Sequence, residues 1–159
     1  MVSALSGTGL MKNPRMHIVN KKPARPKILV VDDDPDMRIF FSTLLKAGGY
    51  KPIVARDGKE GLMKAGKEIP AVIILAVPML ENGGMQMYMD LKADPKFRWI
   101  PVFMISTIDR QTFIHYQKTK GIRLGQDAVS PEAFLEKPPE TAEFLGLIQD
   151  MVSRRIQNK

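Results

Sequence analysis

Three short stretches of this chain, Lys27-Ile28-Leu29-Val30-Val31, Ala71 to Val77 and Ile100 to Ile105, are apolar at nearly every position instead of at every second one. A strand with one wetted face alternates apolar and polar residues, whereas a strand covered on both faces has no such alternation. These stretches therefore predict central strands of a parallel sheet sandwiched between helices. The first ends abruptly in Asp32-Asp33-Asp34 and the third in Ser106-Thr107. The longest apolar run, Ala71 to Leu80, contains Pro78 and is about half the ~20 residues a membrane-spanning helix needs, so it reads as a buried strand and its exit.

Helical patterns fill the gaps. Pro35 suits a first helical turn, and Met37, Phe40, Phe41, Leu44 and Leu45 recur at helical spacing until Gly48-Gly49. Lys51 to Ala55 reads as a strand, Gly58 to Lys67 as a helix, and Gly83-Gly84 open a helix through Met85 to Lys92. A fifth short strand, Ala133 to Glu136, ends in Lys137-Pro138; Thr141 to Ile156 then places Phe144, Leu147, Ile148, Met151 and Val152 on one helical face. Strands alternating with helices imply right-handed crossovers and an open, doubly wound α/β sheet whose functional groups gather beyond the carboxyl ends of the strands. At those ends stand Asp32 and Asp33, Ala76, Ser106 and Lys137.

The stretch between Ser106 and Ala133 exceeds what a simple connection requires, and Gly121, Gly125 and Pro131 interrupt any continuous helix there. Its aromatic and basic residues, Phe113, His115, Tyr116, Lys118, Lys120 and Arg123, form a candidate binding surface. His115 has no second ligand at metal-binding spacing.

A length of 159 residues suits one domain with a sizeable core plus a tail, and is too short for a full second domain beside it. The net charge of +7 looks like a nucleic-acid signal until it is divided. Lys12, Arg15, Lys21, Lys22 and Arg25, with no acid among residues 1–26, carry +5 of it, leaving +2 for the rest. Residues 1–26 read as a basic, disordered leader, with Met11 and Met16 as possible alternative starts, and 27–159 as the domain. No nucleic-acid reader motif is visible, so specific binding of DNA or RNA is not expected. The absence of cysteine excludes thiolate metal sites and disulfides, which fits the cytoplasm.

The segments Ile28-Leu29-Val30-Val31-Asp32-Asp33-Asp34-Pro35, Ile100 to Thr107 and Phe134-Leu135-Glu136-Lys137-Pro138 together resemble the first, fourth and fifth strands of bacterial response-regulator receiver domains. The resemblance implies a flavodoxin-like five-stranded parallel sheet in the order 2-1-3-4-5 and a cytoplasmic, non-enzymatic signalling module. It implies a histidine kinase or other signalling protein as partner, and a phosphoryl group passed to an aspartate at the end of the third strand. Adjacent carboxylates suit magnesium, which prefers oxygen ligands. By the family pattern Asp33 ligates the metal directly, Asp32 acts through water, and the Pro78 carbonyl is a further ligand. Ser106 and Lys137 contact the phosphoryl group, and Ser106 and Phe134 form the switch. Without a metal, three acids before a helix would still serve as a favourable cap. Asp32-x-Asp34 also resembles the nucleophile motif of haloacid-dehalogenase-type phosphatases, the alternative reading, but the later acidic pair that such enzymes need for magnesium is missing.

The departure is in the third strand. Aligning Pro70 to Val77 with the family places Ala76 at the phosphoacceptor position, where a methyl group cannot accept a phosphoryl group. One metal carboxylate is lost as well, so magnesium binding is expected to be weak or absent, and Lys137 is left to pair with Asp32 or Asp33. Ala76 is either native to a diverged receiver or a replacement of a working aspartate. Leu80, where proline is usual, and the Asn82-Gly83-Gly84 loop favour divergence.

Overall fold

The computed structural model describes residues 23–77, 79, 83–119 and 133–157. Five strands, β1 (Lys27–Val31), β2 (Lys51–Ala55), β3 (Val72–Val77), β4 (Val102–Ser106) and β5 (Ala133–Glu136), pair in parallel in the order β2-β1-β3-β4-β5. This is the doubly wound topology expected. Around the sheet lie α1 (Pro35–Ala47), α2 (Gly58–Glu68), α3 (Gly83–Ala93), α4 (Arg110–Thr119) and α5 (Thr141–Gln157). Among the described residues no helix is long and apolar enough to cross a membrane.

Helix starts follow from local chemistry. The Asp34 carboxylate accepts a hydrogen bond from the Asp36 N–H at 2.9 Å, and Pro35 opens α1, where a missing N–H costs nothing. Asp57 caps α2 by accepting from the Glu60 N–H at 2.8 Å, while the Glu60 carboxylate accepts from the Arg56 N–H at 2.8 Å. At the C-terminus of α1 the chain reverses through Gly49, whose φ of 91° suits glycine and strains other residues.

Several boundaries differ from the expectation. β3 begins at Val72 and β4 at Val102, because Pro101 has no N–H to give the ladder; its carbonyl instead accepts from the Ile73 N–H at 3.0 Å. Ile100 closes a turn onto the Phe97 carbonyl yet is fully buried. The stretch after Ser106 contains a helix, α4, which ends before Gly121. Asp109 starts it: its carboxylate accepts from both N–H and Oγ1 of Thr112 at 2.8 Å, and these bonds hold the acid below the ordinary carboxylate range.

The alternation of side chains along each strand splits the core in two. Leu29, Val31, Ile73, Leu75, Val102 and Met104 face α2, α3 and α4, while Ile28, Val30, Ile74, Phe103 and Ile105 face α1 and α5. Both faces are dry, which explains why the central strands lack polar residues until they end.

Candidate functional site

Polar groups collect where β1, β4 and β5 end, around the apolar end of β3. Register sets their levels: Val31 pairs with Leu75, Ala76 with Ile105, Val77 with Ser106, and Ser106 with Glu136. Asp32, one residue beyond Val31, is 1% exposed; it and Ser106 are the buried polar residues among those described. Its backbone is held twice, by its own N–H donating to the Ala55 carbonyl at 3.1 Å and by Arg38 Nη1 donating to its carbonyl at 2.6 Å.

The Asp32 carboxylate has two different environments. Oδ1 accepts from the Asp34 N–H at 3.0 Å, a two-residue turn that folds the acidic loop back over the strand end. Oδ2 lies 2.8 Å from Lys137 Nζ, which compensates its charge, and has no hydrogen-bond partner among the described residues. The Lys137 side chain is 12% exposed. Its backbone N–H donates to the Ser106 carbonyl at 2.6 Å, prolonging the β4–β5 ladder by one bond and aiming the side chain back over the sheet. The Lys137-Pro138 peptide is cis.

Of the remaining predicted residues, Ser106 is fully buried, and its Oγ accepts from the Ile108 N–H at 3.1 Å. Phe134 is half-buried against Phe113, ring centroids 5.3 Å apart. Ala76 is 1% exposed near the end of β3. Asp33 is exposed. Asp34, the second acid of the alternative phosphatase motif, uses its carboxylate to cap α1. Pro78, Leu80 and Asn82 lie outside the described residues, as do Lys120, Arg123, the leader residues 1–22 and the side chains of Tyr116 and Lys118.

The candidate aromatic and basic surface needs correction at Phe113, which is 3% exposed and belongs to the core because α4 turns it onto β5. A feature that the sequence did not reveal lies nearby. A cavity of about 340 Å³ opens between α4, β5 and the start of α5, lined by Arg110, Phe134, Glu136, Pro138, Pro139 and Glu143 among others. Its charges come from three separated segments, so no local pattern announces it.

The donor set argues against a resident magnesium ion. Among the described residues no three of His, Cys, Asp and Glu gather closely enough to hold a metal. The buried Oδ2 that would face a cation already faces the Lys137 ammonium. Magnesium asks for several oxygen ligands in near-octahedral geometry, and a neighbouring positive charge opposes it.

The receiver-domain family model matches residues 28–146. The chain belongs to the response-regulator receiver family. It is 32% identical to the protein PilG of Pseudomonas aeruginosa, over 77% of this chain and 84% of that one. Another relative, histidine kinase P4 of Formosa agariphila, is 31% identical over 83% of this chain, which spans 9% of the kinase. The solved structure of chemotaxis protein CheY4 of Vibrio cholerae superposes with a TM-score of 0.65 at 27% identity, covering 80% of this chain and 99% of that one. Receivers are two-component signalling modules, typically non-enzymatic, that interact with histidine kinases and other signalling proteins and usually bind magnesium at an acidic pocket. In this receiver that pocket holds an internal ion pair.

Proposed function

We propose that this chain is a receiver that signals by contact with other proteins of a two-component system, without phosphorylation at position 76 and without catalysing a reaction of its own. The observation that carries the reading is Ala76. It occupies the end of β3, on the edge where Asp32, Ser106 and Lys137 also end their strands, and offers a methyl group where phosphoryl transfer needs an oxygen nucleophile. A cytoplasmic location, a histidine kinase or another signalling protein as partner, and Ser106 with Phe134 as the responsive pair belong to the same reading. The intact cavity beside Phe134 and the independent burial of the site support a surface that is complete without modification. Any change in this surface then depends on which partner is bound, since a ligand shifts a conformational equilibrium only through its differential affinity for the states involved.

The test is intact-mass analysis after incubation with acetyl phosphate and magnesium, comparing the unsubstituted chain with Ala76→Asp. The expected result is no adduct on the former and one phosphoryl group on the latter, because positioning and electrostatics carry most of phosphoryl transfer. Stable phosphorylation of any aspartate in the unsubstituted chain overturns the reading. Failure of Ala76→Asp to label while folded indicates that the loop after β3 has moved away from receiver geometry.

A further inference from the structure

We propose that Lys137 is the resident counter-cation of this site: its ammonium takes the place of the divalent metal and ties the end of β1 to the end of β5, making the fold of the acidic pocket independent of magnesium. The geometry alone carries this, and it stands whether or not the partner-docking reading above holds.

β1 and β5 are not neighbours; β3 and β4 lie between them. For Asp32 Oδ2 and Lys137 Nζ to come within 2.8 Å, the two side chains must meet above the carboxyl ends of those intervening strands. At that level β3 itself contributes the Ala76 methyl, and among the described residues no carboxylate from the middle of the sheet competes for the ammonium. Lys137 is directed there by its backbone bond to the Ser106 carbonyl, and Asp32 by the Asp34 N–H on its other oxygen. Arg38, bonded to the Asp32 carbonyl at 2.6 Å, adds a second cation to the same loop from α1.

A carboxylate that is 1% exposed must be compensated, because leaving a buried charge unpaired is strongly unfavourable. In an acidic pocket that compensation comes either from an exchangeable ion or from a tethered one. A tethered ammonium is always present, whereas a metal must be bound from solution. Oδ2 has no hydrogen-bond partner among the described residues, so its compensation comes from the charge of the Lys137 ammonium beside it. The consequence is a latch across the sheet that no change in magnesium concentration opens.

The experiment measures melting of the whole chain in EDTA and in millimolar magnesium, with titration calorimetry for binding. The unsubstituted chain is expected to melt at the same temperature in both and to show no saturable heat. Lys137→Met is expected to melt lower by the same amount in EDTA and in magnesium, because it leaves Asp32 uncompensated without supplying the oxygen ligands a metal needs, whereas Lys137→Arg keeps a tethered cation and is expected to regain most of the loss. A magnesium-dependent rise in the unsubstituted chain overturns the proposal, as does a Lys137→Met chain that melts normally in EDTA. A Lys137→Arg chain that melts as low as Lys137→Met also overturns it, since Lys137 would then act through packing and not through its charge. Should Lys137→Met fail to fold, Asp32→Asn combined with Lys137→Met removes both charges. That double variant is expected to fold and to ignore magnesium, and its failure to fold would assign the role to packing and overturn the proposal.

Discussion

On the face covered by α1 and α5, Phe144 lies between Phe41 and Phe103 with ring centroids 5.1 and 5.5 Å away, whereas on the face covered by α2 and α3 three glycines lie close against neighbouring main chain and methionine. A Cβ on Gly58 would stand 2.6 Å from the Gly83 carbonyl oxygen, one on Gly61 2.8 Å from the Met87 sulfur, and one on Gly84 2.5 Å from the Ala76 carbonyl oxygen. The aromatic face is set by large side chains that fill space, and the glycine face by main chains that touch. The first therefore fails through cavities and the second through overpacking. The site borders the second. Gly84 brings the start of α3 against the carbonyl of Ala76, so the end of β3 is held by a backbone contact that tolerates almost no added volume.

The sharpest way to break the aromatic face is Phe144→Ala, expected to cost about 3–5 kcal/mol because a fully buried ring leaves a cavity between two others. Urea denaturation measures it, and a loss below about 1 kcal/mol would show that the rings are not the packing unit. On the opposite face, Gly84→Ala is expected to cost about 1–3 kcal/mol through overpacking, with chemical-shift changes concentrated at Ala76 and Val77. Gly146→Ala is the control: nothing lies within 4 Å of a Cβ there, so this mid-helix change in α5 should stabilise by about 0.5–1 kcal/mol.

A smaller effect separates the faces by pH. Burial raises the Tyr50 phenol, part of the aromatic-face cluster, above its ordinary 10.0, so the folded state favours the neutral form. The corresponding stability is fully present below that ordinary value and is lost as pH rises through the raised one. Tyr50→Phe should flatten this alkaline loss in melting curves, and a variant with the same alkaline slope would assign it elsewhere. The smallest effect is expected at the site itself. Asp33 is exposed beside the compensated Asp32, so Asp33→Asn should shift stability by no more than about 0.5 kcal/mol in metal-free buffer; a larger loss would make Asp33 part of the latch.

Periodicity carried the fold because burial on both faces leaves a direct record in composition: Ile28 to Val31 and Val72 to Val77 could not be wetted strands, and their alternation with Pro35–Ala47 and Gly58–Glu68 left few topologies open. The same local reading missed α4, since the glycines and proline that follow it masked one regular helix, and it placed Phe113 on the surface when α4 turns that ring onto Phe134. It also brought Asp32, Ser106 and Lys137 to one edge, because in a parallel sheet every strand ends on the same side. What the residues alone left open was the partner of Lys137, Asp32 or Asp33. That was decided by tertiary structure: strand order sets the span between β1 and β5, Ala76 leaves the path clear, and the turn from Oδ1 to the Asp34 N–H keeps Asp32 inside while Asp33 faces solvent. Burial pattern is a property of neighbouring residues and can be read along the chain, but a charge pair between distant segments exists only once the sheet has brought their ends together.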